Sequence, residues 1–278
     1  MSDKERSQLD QLVDAVLASR NYKHITRDFI ETLGSRELAK RSTLKEAIKA
    51  TRNKLHQVGG AYIEGAAPYR SWLDQLRQVA VYDNKDQLKR VCMSIMGYHA
   101  STRERLPMLE QFYTMLLADL PPVRSVIDVA CGLHPLAIPW MPLGQDAQYY
   151  AYDIYQDMAD FLNGFMGLIH VQGNAQARDV LQYSPPFKVD LAFVLKAIPC
   201  LEQVDKNAGL RLLDAIKADH LLVSFPVQSL GGRKKGMVVN YEARFHELVR
   251  QRNWFIERFE FPTELVFRIA KGDLQDHG

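Results

Sequence analysis

Leu9, Leu12, Val13, Val16 and Leu17 recur at the spacing of a single helix face, so the chain opens on an amphipathic helix. Thr43 and Glu46 have the spacing of a capping box. Behind them Leu44, Ala47, Ile48 and Leu55 form a second apolar stripe, and Gly59-Gly60 is expected to break that helix. Further helices are predicted over 69–78, around 86–96, and from Pro107 through Leu120, where Pro121-Pro122 ends the pattern. Beyond residue 120 the period changes. Short apolar runs at 125–129, 148–153, 168–171, 189–195 and 220–225 read as strands, with helices over 156–166 and 208–218 between them. The end adds a helix over 241–252 and two close strands, 254–260 and 265–269. Alternating buried strands and helices predict an α/β fold, a mostly parallel sheet covered on both faces, closed by an antiparallel C-terminal hairpin.

Composition narrows the class. Of 278 residues, 47% are hydrophobic and 24% charged, which excludes collagen-like, disordered and disulfide-framework chains. The uncharged stretch from 129 to 145 is broken by Pro135, Pro139 and Pro142, so no membrane helix is expected there. No signal-like apolar run follows Met1, and Cys92, Cys131 and Cys200 are widely spaced; both fit a reducing cytoplasm. The net charge of +2 conceals an asymmetry. Residues 1–106 hold 19 Lys+Arg against 13 Asp+Glu, whereas residues 107–278 hold 16 against 20. A basic helical part on a mildly acidic core points to a polyanionic partner. Lys45, Lys49 and Arg52 share one predicted helix face, and Arg233-Lys234-Lys235 follow the fifth predicted strand; both groups are candidates for phosphate contact. Taken alone, either could be a solvated surface.

The chemistry-bearing residues lie at strand ends. Asp128-Val129-Ala130-Cys131-Gly132 follows the first strand, where a small-residue turn lets a ligand approach the backbone. Asp153 ends the second strand 21 residues after Gly132, a spacing suited to accepting both hydroxyls of a ribose. Asp179 follows the third, where a carboxylate can accept from an adenine amino group. The ordered set indicates a nucleoside cofactor, although the G-x-G-x-x-G dinucleotide fingerprint is absent.

With the terminal hairpin, this D-x-A-x-G pattern resembles the class I S-adenosylmethionine-dependent methyltransferases; Ala130 stands where that family usually has its first glycine. A narrower resemblance rests on the string from Tyr98 through His99-Ala100-Ser101-Thr102-Arg103-Glu104-Arg105-Leu106 to Pro107. With it go His134-Pro135 and Leu195-Lys196-Ala197-Ile198-Pro199-Cys200-Leu201-Glu202. These are similar to the aminoglycoside-resistance methyltransferases of 16S ribosomal RNA, in the branch that methylates guanine N7 in the decoding site. The resemblance implies an RNA-binding helical domain over residues 1–106 and a methyltransferase domain over 107–278. It implies S-adenosyl-L-methionine as cofactor, 16S rRNA in the assembled 30S subunit as partner, guanine 1405 as target, a monomer in the cytoplasm, and aminoglycoside resistance as the outcome. The cofactor residues it implies are Tyr62, His99, Ala100, Ser101, Thr102, Arg105, Ala130, Gly132, Asp153, Ile154, Asp179, Val180, Leu195, Lys196 and Gln203, with Arg105 on the methionine carboxylate.

Guanine N7 has a free in-plane lone pair and needs no deprotonation before it attacks a sulfonium methyl, so no catalytic base is expected. Two other chemistries have partial signatures in the chain. Pro199-Cys200 could mark a thiolate that attacks cytosine, but the flanking acid is missing and Cys200 reads as packing. Ser184-Pro185-Pro186-Phe187 superficially resembles an amino-group methylation motif, but it precedes the fourth strand. A methyltransferase acting on a small molecule or a protein is the alternative function, and a non-catalytic RNA-binding protein is the third.

Overall fold

The computed structural model describes residues 3–60, 62, 67–80, 84–144, 146–183, 185–228 and 236–272. Three helices come first: α1 (Asp3–Leu17), α2 (Arg27–Leu38) and α3 (Leu44–Leu55). Their stripes meet in one apolar cluster containing Leu12, Val16, Phe29, Ile30, Leu33, Ala47 and Leu55. The predicted capping box is present: the Glu46 amide donates to the Thr43 hydroxyl at 3.3 Å. The glycine pair does not end α3 abruptly; the helix widens into a π turn, His56–Gly60.

Two further helices, α4 (Tyr69–Ala80) and α5 (Lys85–Met96), pack into the cluster that covers one face of the sheet. The short α6 (Ala100–Arg103), a 3-10 turn at Leu106–Met108 and α7 (Leu109–Leu117) lead to the sheet. Its strands are β1 (Ser125–Val129), β2 (Gln148–Asp153), β3 (Gln172–Ala177), β4 (Val189–Leu195), β5 (Ala218–Pro226), β6 (Trp254–Phe261) and β7 (Glu264–Lys271). They lie in the order β3-β2-β1-β4-β5-β7-β6, with only β7 and β6 antiparallel to their neighbours. Between strands run α8 (Gln156–Leu168), α9 (Ala197–Leu201), α10 (Ala208–Ala215) and α11 (Met237–Val249). Alternate residues serve the two faces: Val126, Leu191 and Phe193 face one apolar cluster, Ile127, Ala192 and Val194 the other. The strand order reverses at β1/β4, and at such a switch point the strand ends diverge to leave a crevice.

One expected strand is wrong. The apolar run 168–171 is the last residue of α8 and the loop after it, and it is apolar because it packs on the sheet's cluster. The real third strand, 172–177, is polar because it is an edge strand with little to bury. Asn163 of α8 takes both the N–H and the C=O of Ala175, at 2.7 and 2.8 Å. Gly173 is fixed by close approach: at φ 115° a Cβ there would lie 2.1 Å from the Tyr149 carbonyl oxygen.

Candidate functional site

The ends of β1, β2, β3 and β4 open into one cavity of about 840 Å³, part of it open to solvent. After β1 the chain turns through two left-handed residues, Ala130 at φ 51° and Gly132 at φ 52°. The turn is crowded, since a Cβ on Gly132 would meet His99 Nε2 at 2.7 Å. Ala130 accepts a conformation that favours glycine, a strain stored in the cavity wall. The turn is tied to β2 by Asp153, whose Oδ2 accepts the Gly132 N–H at 2.8 Å while Oδ1 accepts its neighbour Ile154 at 2.7 Å. Burial pushes the Asp153 carboxyl up to about 6, with the Gly132 and Ile154 amides pulling against it. Behind the turn, Asp128 accepts from Tyr149 and bonds His134, each at 2.8 Å, and His134 reaches Tyr113 at 2.7 Å. Asp128 thus braces the turn from below.

Asp179 follows β3. Its Oδ1 accepts the Leu181 N–H at 2.9 Å, and its Oδ2 lies 3.1 Å from the Thr32 hydroxyl of α2. Burial raises the Asp179 carboxyl, opposed by those two hydrogen bonds. At the end of β4, Lys196 is left-handed at φ 55°, its N–H held by the Ser224 carbonyl at 3.1 Å and hydroxyl at 3.0 Å. Its ammonium meets Glu104 at 2.6 Å and Glu264 at 3.6 Å. Glu264 is fully buried and takes Arg105 bidentately at 2.7 and 3.0 Å. Burial alone would raise the Glu264 carboxyl, but Arg105 and Lys196 outweigh it and the net shift is downward. His99 is pushed down to about 4, first by burial and then by Arg105 and Lys196, so it is neutral at pH 7. Tyr62 stacks on His99 with ring centroids 6.0 Å apart, and its hydroxyl meets the Cys200 thiol at 2.9 Å.

Residues 18–268 match the ribosomal RNA methyltransferase (FmrO) family. The chain belongs to that family. It is 33% identical over 265 residues to the 16S rRNA (guanine(1405)-N(7))-methyltransferase of Micromonospora rosea, covering 95% of this chain and 97% of that protein. It is 34% identical over 266 residues to the protein of the same name from Frankia casuarinae, covering 95% and 94%. Among solved structures, 16S rRNA methyltransferase RmtF in complex with S-adenosyl-L-homocysteine superposes with a TM-score of 0.81 at 26% identity, covering 98% of this chain and 99% of that one. The 16S rRNA methylase RmtB gives 0.76 at 26% identity, covering 95% and 98%.

Of the residues expected around the cofactor, Tyr62, His99, Ser101, Ala130, Asp153, Ile154, Asp179, Val180, Leu195 and Lys196 line the cavity. Others stand behind its wall. The Ala100 N–H donates to the Tyr62 carbonyl, the Thr102 hydroxyl bonds the Met96 and His99 carbonyls, and the Gly132 N–H goes to Asp153. Arg105 is pulled inward as a bidentate clamp, but the carboxylate it grips is that of Glu264. Gln203 does not reach the cavity: it is exposed and its carbonyl accepts from Lys54 at 3.1 Å. Arg52 also departs from expectation. Lys45 and Lys49 are exposed, but Arg52 is half-buried and donates to the Ala15 carbonyl at 2.6 Å, satisfying an orphan carbonyl near the end of α1. Arg233, Lys234, Lys235 and Ser184 lie outside the described residues. Burial raises the Cys200 thiol, which argues against an attacking thiolate, but the residue lines the cavity and is more than the packing expected of it.

Sequence reasoning missed Phe29, Val58, Gly59, Cys131, Tyr155, Met158, Arg178, Ala197 and Leu201 in the wall. Cys131, Tyr155 and Arg178 stand within two residues of a motif residue, and that adjacency was a usable signal. Gly59 had one too: a Cβ there would meet the Tyr155 hydroxyl at 2.6 Å, so the glycine pair marks a close approach as well as a helix end.

Replacing Glu264 by Gln leaves Arg105 and Lys196 buried with one fewer negative charge. Urea unfolding is expected to show a loss of about 3 kcal/mol, the scale for breaking a buried pair. A loss under about 1 kcal/mol would mean that the network is dispensable.

Proposed function

We propose that this protein transfers a methyl group from S-adenosyl-L-methionine to N7 of guanine 1405 in the decoding site of 16S rRNA, within the assembled 30S subunit, and so confers aminoglycoside resistance. The observation that carries the reading is the match, over nearly the whole of both chains, to enzymes named for that reaction. The protein works as a monomer in the cytoplasm, where ribosomal subunits are found. Residues 1–106 supply the RNA-facing part, and residues 107–278 the transfer site.

The cavity fits the cofactor chemically. The Gly132 and Ile154 amides donate to separate Asp153 oxygens, the Tyr155 amide also favours the ionised form, and the carboxylate can still accept from a ribose hydroxyl. His99 Nδ1 is buried in the wall with no partner among the described residues, a position that a polar ligand would satisfy. When bound, S-adenosyl-L-methionine supplies a methyl group on a positively charged sulfur. The chain's part is to hold and orient. Asp153 binds the ribose, Asp179 the adenine amino group, and the apolar wall of Ile154, Val180 and Leu195 excludes water. Arg105 stands one layer back, and through Glu264 it fixes the segment that carries His99 and Ser101. N7 accepts a methyl group without losing a proton, so in-line positioning carries the rate and no residue need move a proton. Side chains cannot enter the deep, narrow A-form groove that displays N7, so the base must be turned out at a cost of a few kcal/mol. Contacts to folded RNA by Lys45, Lys49 and the 233–235 cations offset that cost.

Labelled methyl transfer tests the reading directly. Intact 30S subunits should accept label at guanine 1405, while small molecules and unrelated proteins should not. Label elsewhere in the subunit, or only on a small molecule, overturns it.

The ribose assignment predicts a pH dependence. The free-state Asp153 carboxyl lies near 6, and ribose hydroxyls donate to its ionised form. Cofactor affinity should therefore hold above pH 6 and fall below it by up to about tenfold per unit. Asp153→Asn should weaken binding and flatten that limb in calorimetry; an unchanged limb rejects the assignment.

The RNA assignment is checked by a salt series. Replacing Lys45 and Lys49 by Ala should weaken 30S binding and reduce the salt slope by about one unit per lost phosphate contact, with cofactor affinity unchanged. An unchanged slope places the RNA footprint elsewhere.

A further inference from the structure

The acid that follows β3 is not positioned by the sheet alone. Its Oδ1 is held locally by the Leu181 amide, but its Oδ2 faces Thr32, a residue of the N-terminal helix α2 and 147 positions away. The Thr32 hydroxyl has one proton and two acceptors within reach, the Asp28 carbonyl at 3.0 Å and Asp179 Oδ2 at 3.1 Å. The Asp28 carbonyl is a helix carbonyl with an intrahelical partner of its own. If the proton pointed there, the hydroxyl oxygen would present lone pairs to a carboxylate at 3.1 Å, which is repulsive. The charged acceptor therefore takes the proton. The Gln182 side-chain amide donates into the same Thr32 oxygen, which occupies one of its two lone pairs and polarises the O–H further. Phe29, one turn before Thr32, enters the cavity wall, so this helix forms part of the site's boundary.

We propose that Thr32 is a positioning residue for the cofactor: the relay from Gln182 through Thr32 to Asp179 fixes the rotamer and the ionised state of that carboxylate, so that its free lone pairs face an adenine amino group and discriminate against a carbonyl at the same place. The inference rests on the reading of Asp179 as the adenine acceptor. It makes recognition of the base depend on a side chain from the basic helical part of the molecule, outside the sheet and its strand-end motifs. Without the hydroxyl, Asp179 Oδ2 is free to rotate or to take up a proton, and a protonated carboxyl can donate to a carbonyl.

Two probes separate positioning from general packing: S-adenosyl-L-homocysteine and S-inosyl-L-homocysteine, in which a carbonyl oxygen replaces the 6-amino group. Their affinities are measured by calorimetry on the full chain. The wild-type protein should prefer the adenosyl ligand. Thr32→Val keeps the shape and removes the hydroxyl; it should weaken the adenosyl ligand about tenfold, the scale of one hydrogen bond to a charged group, and leave the inosyl ligand nearly unchanged. The preference should then largely disappear, and Thr32→Ser should restore it. Thr32→Ala gives a second removal of the hydroxyl should the valine variant fold poorly. If the adenosyl-to-inosyl ratio stays at its wild-type value, with both ligands unaffected or both weakened alike, Thr32 is ordinary packing and the proposal is overturned. Asp179→Asn, measured in parallel, tells the two failures apart. If it abolishes the preference while the Thr32 variants do not, the relay is wrong. If it too leaves the preference intact, Asp179 does not read the base, and the underlying assignment falls with the proposal.

Discussion

Glu264 is a carboxylate with no water to face, and the geometry of the site depends on how that charge is met. Removing such a group from water costs several kcal/mol, which is repaid only when every lone pair finds a good partner. Here the partners come from three distant segments: Arg105 at the end of the 99–105 string, Lys196 at the end of β4, and the Ser224 hydroxyl in β5. One buried charge at the first residue of β7 therefore ties three segments together at once. Arg105 is pinned further by the face of Phe112, 4.7 Å from its guanidinium carbon. With Arg105 immobile, His99 and Ser101 keep their place in the cavity wall. With Lys196 immobile, β4 can end in a left-handed residue that would otherwise relax.

A second joint runs between the N-terminal helices and the strand ends. The chain entering α2 lies against the residues after β2: the Thr26 N–H donates to the Ile154 carbonyl at 2.9 Å, and the Gln156 N–H to the His24 carbonyl at 2.8 Å. Ile25 and Tyr155 form an isolated antiparallel bridge between these bonds. The loop that carries Asp153 is thus clamped by the same helical part that presents Lys45 and Lys49. Any shift of these helices is passed to the loop that carries Asp153, and linkage makes such coupling reciprocal between whatever each of the two parts binds.

The sheet was legible because β1, β2, β4 and β5 are covered on both faces and so read as continuous apolar runs. β3 was not, because an edge strand buries little and the apolar run before it belonged to a helix end. The position of Asp179 survived that error, since the acid follows the strand in either register. The resemblance put Arg105 on the cofactor carboxylate; its partner in the structure, Glu264, lies 159 residues further on and was not legible. Arg52 shows the limit of helical periodicity. Its spacing with Lys45 and Lys49 is right, yet the nearby end of α1 offers an orphan carbonyl and takes the side chain. Phe29 and Val58 escaped because their place in the wall is set by how whole helices dock, which no local pattern records.

The charges around the cavity suit a reaction in which a positive charge is present at the start and appears on the acceptor ring at the end. Asp153 and Asp179 both stand in the wall, while the cationic groups nearby are already spoken for: Lys196 by Glu104 and Glu264, Arg105 by Glu264. Burial beside Arg105 and Lys196 keeps His99 neutral, and Arg178, the other cation in the wall, lies over the Tyr183 ring at 5.5 Å. The same buried network that fixes the wall therefore also pairs Lys196 and Arg105 with carboxylates. Such a site needs no proton acceptor tuned to neutral pH. A fixed wall that sets the carboxylates of Asp153 and Asp179 beside the reacting groups can favour a cationic product ring without reorganising during the reaction, and preorganised electrostatics of that kind works best where water is excluded.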